Sequence, residues 1–98
     1  MPLARITIRS GKSNGYRKAL LDGVHNALVE AFKIPVHDRM QMLDELAFDR
    51  FEALPGKTDN VTVIEIMAFK GRSAEARKAL YGKIVRNLGA EPGIEGTI

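Results

Sequence analysis

Polar and apolar positions divide the chain into two kinds of segment. Residues 3–9 alternate, with Ala4, Ile6 and Ile8 to one side and Arg5, Thr7 and Arg9 to the other, so this stretch reads as a strand with one buried face. Ser10 to Gly15 is turn chemistry, and Ser13 or Asn14 is placed to cap a helix. Residues 14–33 carry a helical stripe of Tyr16, Leu20, Val24, Leu28 and Phe32, widened by Leu21 and Ala31. Lys18, Asp22, Asn26 and Glu30 form the wet face. Ile34-Pro35 ends the helix, because a residue before proline is pushed out of the helical region. Residues 39–46 read as a second strand, with Met40 and Met42 on one face. A loop with a turn or short helix follows, with Phe48, Phe51 and Leu54 and a bend at Pro55-Gly56. Residues 61–69, β-branched and almost free of charge, are the clearest strand. A second helix spans 74–88 on a stripe of Ala76, Leu80, Ile84 and Leu88, with Gly89 as its expected cap. Gly82, inside that helix, costs about 1 kcal/mol relative to alanine and is expected to mark a close backbone contact.

The chain repeats itself at an offset of 60 residues. Ile6 matches Ile66, Gly11 matches Gly71, Ser13 matches Ser73, and Arg17-Lys18-Ala19-Leu20 matches Arg77-Lys78-Ala79-Leu80. Lys12 answers Arg72, and Val24 answers Ile84. A duplicated β-α-β unit within a single domain, residues 1–98, accounts for this. The units span about 2–46 and 62–98. Each helix returns the chain for a parallel strand by a right-handed crossover. The expected class is α+β, a four-stranded sheet with two helices on one face. The second unit should run to about residue 106, so its closing strand is expected to be absent from these 98 residues.

Composition narrows the function. Without cysteine there is no disulfide framework or thiolate metal site, and two distant histidines do not make a metal site. No apolar run approaches the ~20 residues needed to cross a bilayer, and no signal peptide opens the chain. A cytoplasmic protein without a membrane partner is expected. The net charge of +3 suits an anionic ligand. The basic residues are scattered, and four phenylalanines and two tyrosines make a poor stacking platform, so nucleic acid is not the expected partner. Gly11-Lys12-Ser13 is not a phosphate loop, because the required first glycine falls at Ile6.

Two places carry candidate chemistry. Pro2 follows Met1 directly; removal of Met1 would leave a secondary amine able to move a proton or attack a carbonyl. Lys70-Gly71-Arg72-Ser73 sets two cations at a strand end before a helix N-terminus, where amide N–H groups and the dipole favour an anion. Asp38 beside Arg39 is either a local ion pair or a functional carboxylate. His25 lies beside the apolar stripe and reads as packing, His37 as a solvated loop residue.

Together, Met1-Pro2-Leu3, Leu20-Leu21-Asp22-Gly23-Val24-His25, Ile34 to Gln41 and Gly71-Arg72-Ser73, in register with the duplication, resemble the tautomerase superfamily. Within it the chain looks most like the malonate semialdehyde decarboxylase group. The resemblance implies a cofactor-independent isomerase that tautomerises a small anionic 2-oxo acid and assembles as a homotrimer. It implies Pro2 as general base or acid, Asp38 as a second catalytic residue that positions or activates water, and Arg72 as the residue that binds carboxylate or polarises a carbonyl. Where the decarboxylase carries a further arginine, this chain has Lys70, a point charge that cannot fork onto a carboxylate. The alternatives are a decarboxylase or hydratase of the same group, and an inactive truncated relative or non-enzymatic binding module. The duplication adds an asymmetry: Thr62, an internal residue with no amine to offer, stands in unit two where Pro2 stands in unit one.

Overall fold

The computed structural model describes residues 2–68 and 71–95. Its elements run β1 (Leu3–Arg9), α1 (Asn14–Phe32), β2 (Gln41–Leu46), a 3₁₀ turn (Phe48–Arg50), β3 (Thr62–Met67) and α2 (Ala74–Ala90). The sheet order is β2-β1-β3. β1 and β2 are parallel, with Ala4 opposite Gln41, and β1 and β3 are antiparallel, with Leu3 opposite Met67. The architecture is α+β, as expected. Three strands are present among the described residues, so the fourth strand of the duplicated plan is absent there.

The alternation in β1 decides which face the helices cover. Ala4, Ile6 and Ile8 are fully buried, beneath Leu20, Val24, Ala27, Leu28 and Phe32 of α1 and Leu80, Ile84 and Leu88 of α2. Fully burying each large aliphatic side chain contributes about 1.5–3 kcal/mol. β1 lies between the other two strands, so its inward side chains sit at the centre of this core.

The duplication is visible atom by atom. Gly11 and Gly71 take φ of 105° and 112°, a region open to glycine and strained for other residues. Ser13 Oγ accepts from Tyr16 N–H at 3.1 Å, and Ser73 Oγ accepts from Ala76 N–H at 3.0 Å. Arg17 donates back to the Lys12 carbonyl at 2.6 Å, and Arg77 donates to the Arg72 carbonyl at 3.2 Å. The shared Gly-cation-Ser and Arg-Lys-Ala-Leu segments therefore fold one turn twice, glycine for the reversal, serine for the cap and arginine to lock it.

Several boundaries depart from the sequence reading. α1 closes at Lys33 in the left-handed conformation, φ 57°, its N–H donating to Val29 O at 3.0 Å, one residue before Ile34-Pro35. Gly89 does not cap α2; it lies inside the helix, which continues to Ala90. Gly93, φ 95°, makes the reversal instead, and the N–H groups of Gly93 and Ile94 both reach the Leu88 carbonyl. Gly82 marks no close contact, since a Cβ there would meet nothing within 4 Å. The close approach is at Gly23, where a Cβ would lie 2.8 Å from Leu88 Cδ2. There α1 and α2 meet, and Asn87 Nδ2 donates to the Gly23 carbonyl at 3.0 Å.

Candidate functional site

One end of the sheet collects the residues singled out above. β1 begins there, α1 ends there, β2 begins there, and β3 ends there before the chain turns into α2. Pro2, Asp38 and Arg72 therefore share an end, although they lie far apart in sequence. Lys70 lies outside the described residues.

Pro2 is buried, immediately before the central strand. The next contact along the strand is between Ala4 N–H and Met40 O, 3.0 Å. The register with β3 carries Pro2 toward the residue after Met67. Its neighbours Leu3 and Ala4 are held by pairing to β3 and β2.

Asp38 sits half-buried in the connection from α1 to β2. Its N–H closes a turn onto Pro35 O at 3.0 Å. The ion pair with Arg39 does not form. Arg39 reaches back to Asp22 Oδ1 of α1 at 2.7 Å and donates to Gln41 Oε1 at 2.9 Å. The Asp38 carboxylate has no ion-pair partner among the described residues. Lys18 and Arg39 both hydrogen-bond Asp22 and hold its carboxyl below the usual carboxylate range. His25, buried in α1, ties down the same connection through Nε2 and the Val36 carbonyl, 2.7 Å apart. This is the packing role read from the sequence. His37 is exposed.

Arg72 precedes α2, and its guanidinium docks on the last residue of α1. It lies 4.8 Å from the centre of the Phe32 ring and donates Nη1–H to the Phe32 carbonyl at 3.1 Å. A cation at a helix C-terminus meets the negative end of the dipole, and the aromatic face adds a cation–π contact. One donor is thus committed, and the planar fork is held in one orientation with further N–H groups left over. Phe32 is the residue the sequence reading did not place in the site. Its stripe position identified it as core, which it is, but nothing local signals that a residue 40 positions away will stack on it.

At the opposite end, the matching cation Lys12 lies over the Tyr16 ring at 4.8 Å and bonds Asn60 Oδ1. Burial raises the Tyr16 phenol above its ordinary pKa. Among the described residues, no group of three or more His, Cys, Asp or Glu is arranged to hold a metal ion, and no helix is long and apolar enough to cross a membrane.

Comparison with known proteins agrees with this fold. Two family models, both described as "Tautomerase enzyme", match residues 2–52 and 38–97. The Bacillus subtilis (strain 168) protein "Probable tautomerase YrdN" is 32% identical over 109 residues, covering 99% of this chain and 78% of its own length. A crystal structure of a malonate semialdehyde decarboxylase superposes with TM-score 0.87 at 24% identity over 95% of this chain and 75% of that one. The FG41 malonate semialdehyde decarboxylase inhibited by 3-bromopropiolate does so at 0.83 and 31% identity, covering 90% of this chain and 71% of its own. A fused 4-OT symmetric trimer, 21% identical, shares the fold at TM-score 0.79, covering 95% of this chain and 76% of its own.

Proposed function

The chain belongs to the tautomerase family, and on that premise we propose that it is a cofactor-independent isomerase interconverting the keto and enol forms of a small 2-oxo acid. The observation that carries this reading is the convergence at one sheet end of a buried proline, at the position exposed as an amine by removal of Met1, and a guanidinium docked by Phe32. Burial disfavours a protonated amine. The Pro2 nitrogen would then act as the base that takes a proton from the carbon beside the ketone and returns it at the other position. The remaining donors of Arg72, with Lys70, would hold the substrate carboxylate and the developing enolate. Asp38 would orient the substrate or water from the α1–β2 connection. A homotrimer is part of the reading, supported by the trimeric assembly of the fused 4-OT structure.

A specific observation favours a second reading, decarboxylation or hydration of a 3-oxo or unsaturated acid. The 31% identical solved structure is a malonate semialdehyde decarboxylase. Product analysis separates the two, because carbon dioxide released from a semialdehyde would displace simple tautomerisation.

The deciding experiment is a ketonisation assay on purified protein, with intact mass to show whether Met1 is gone. Pro2→Ala should lower kcat/KM by about 10²–10⁴-fold, the usual worth of a positioned acid–base group. Turnover unchanged by Pro2→Ala, or undiminished with Met1 retained, would remove Pro2 from the mechanism.

A further inference from the structure

The chain around Asp38 is tied to α1 at three points, and none of them uses the Asp38 carboxylate. Two residues before Asp38, the Val36 carbonyl lies 2.7 Å from His25 Nε2. A carbonyl only accepts, so Nε2 carries the proton of this bond. One residue after Asp38, Arg39 donates to Asp22 Oδ1 at 2.7 Å. At the start of β2, Gln41 Nε2 donates to the Leu21 carbonyl at 2.8 Å. Positions 21, 22 and 25 are neighbours on one face of a helix. Between the first two ties the turn closes on itself, through the Asp38 N–H and the Pro35 carbonyl. His25 is 3% exposed, so water does not compete for its bond.

We propose that His25 is a positioning residue for Asp38, fixing through Val36 the turn that carries the carboxylate at the Pro2 end. This rests on the function proposed above, in which Asp38 orients substrate or water. Such a role depends on placement, since a shift of about 1 Å in a reacting group costs roughly 10²-fold in rate.

The duplication separates this role from simple packing. A strut needed only to seat a helix against its crossover would belong in both units. Sixty residues on, Val85 stands in the place of His25 and Gly82 in the place of Asp22. The connection after α2 is held instead by main chain, with the N–H groups of Gly93 and Ile94 on the Leu88 carbonyl. Ile98 stands in the place of Asp38, and Thr62 in the place of Pro2. The polar struts thus accompany the carboxylate and the amine, in the one unit that carries them.

The test is ketonisation kinetics of His25→Leu, His25→Asn and His25→Gln, counted per folded molecule by circular dichroism. Glutamine sets an amide N–H near the place of Nε2, whereas the shorter asparagine stops short of the Val36 carbonyl. In the Leu and Asn variants kcat should fall about 10–100-fold, and in the Gln variant it should stay within about threefold, with KM little changed throughout. In an Asp38→Asn background, His25→Asn should cost nothing further. If His25→Leu fails to fold, the contrast between Asn and Gln decides. Equal kcat for the Asn and Gln variants would overturn the proposal and leave the proposed function standing. So would a full His25→Asn loss on top of Asp38→Asn. Turnover unchanged by Asp38→Asn alone would instead remove Asp38 from the mechanism, and the positioning role with it. An unaltered protein without ketonisation would remove the proposed function itself.

Discussion

Arg72 holds the C-terminus of α1 with one donor while the rest of its guanidinium stays available at the Pro2 end. Arg72→Lys keeps the charge but loses the planar fork and most of the stacking. In the ketonisation assay its KM for a carboxylate substrate should rise about tenfold, roughly one hydrogen bond to a charged group, with kcat less affected. An unchanged KM would place the substrate carboxylate elsewhere. Asp22 answers to pH. Its folded pKa is depressed, first by the hydrogen bond from Lys18 and then by that from Arg39. Its stabilising contribution is therefore present above the unfolded value, about 3.9, and is lost as pH falls through the lower folded value. Glu30, held down by Arg86 and Lys83, adds in the same direction. Urea midpoints should fall below about pH 4, and the fall should be shallower in Asp22→Asn, which has nothing to protonate there. Pro2 and Arg72 stood out in the sequence through local chemistry, an amine behind Met1 and a cation before a helix, and Asp38 through the resemblance. Phe32 as a platform and Asp22 as Arg39's partner were not, because both depend on which side chains meet across elements.

At the scale of elements, alternation located β1, β-branched composition β3 and helical stripes both helices among the described residues, since a buried face imposes those patterns whatever the details. Ends and glycines were harder. A glycine inside a helix looks the same in sequence whether it admits a neighbour or merely lacks a side chain. The structure separates the two cases. Gly82→Ala meets nothing within 4 Å and should stabilise by about 1 kcal/mol through helix propensity. Gly23→Ala drives a Cβ to 2.8 Å from Leu88 Cδ2, with Asn87 Cβ at 3.5 Å behind it. Leu88 is core and has little room to turn. Overpacking of about 1–3 kcal/mol should cancel or exceed the same propensity gain. Urea denaturation of the two variants side by side checks this, and equal stabilisation by both would mean that the α1–α2 contact is looser than drawn.

On the whole molecule, the sheet face away from the helices is the face on which the proposed assembly would rest. The β1 registers set Met42, Arg5 and Glu65 in one cross-strand row and Asp44, Thr7 and Val63 in the next. Leu3 and Met67 form a further row, toward Pro2. Met40, Met42, Val63 and Met67 are each more than two-fifths exposed. Four large apolar side chains on one open sheet face resemble an interface more than a solvated surface. Met67 lies in the row next to Pro2, so a neighbour seated over it would border the proposed site, coupling assembly to turnover. Light scattering at micromolar concentration should give the mass of a trimer. Met67→Lys places a charge on that apolar face and should weaken assembly by roughly 2 kcal/mol or more per contact. It should shift the mass toward monomer, and ketonisation per chain should fall with it. Dilution of the unaltered protein should reproduce the same loss. A Met67→Lys protein that stays trimeric would move the interface off this face, and a fully active monomer would show that the Pro2 end is complete within a single chain.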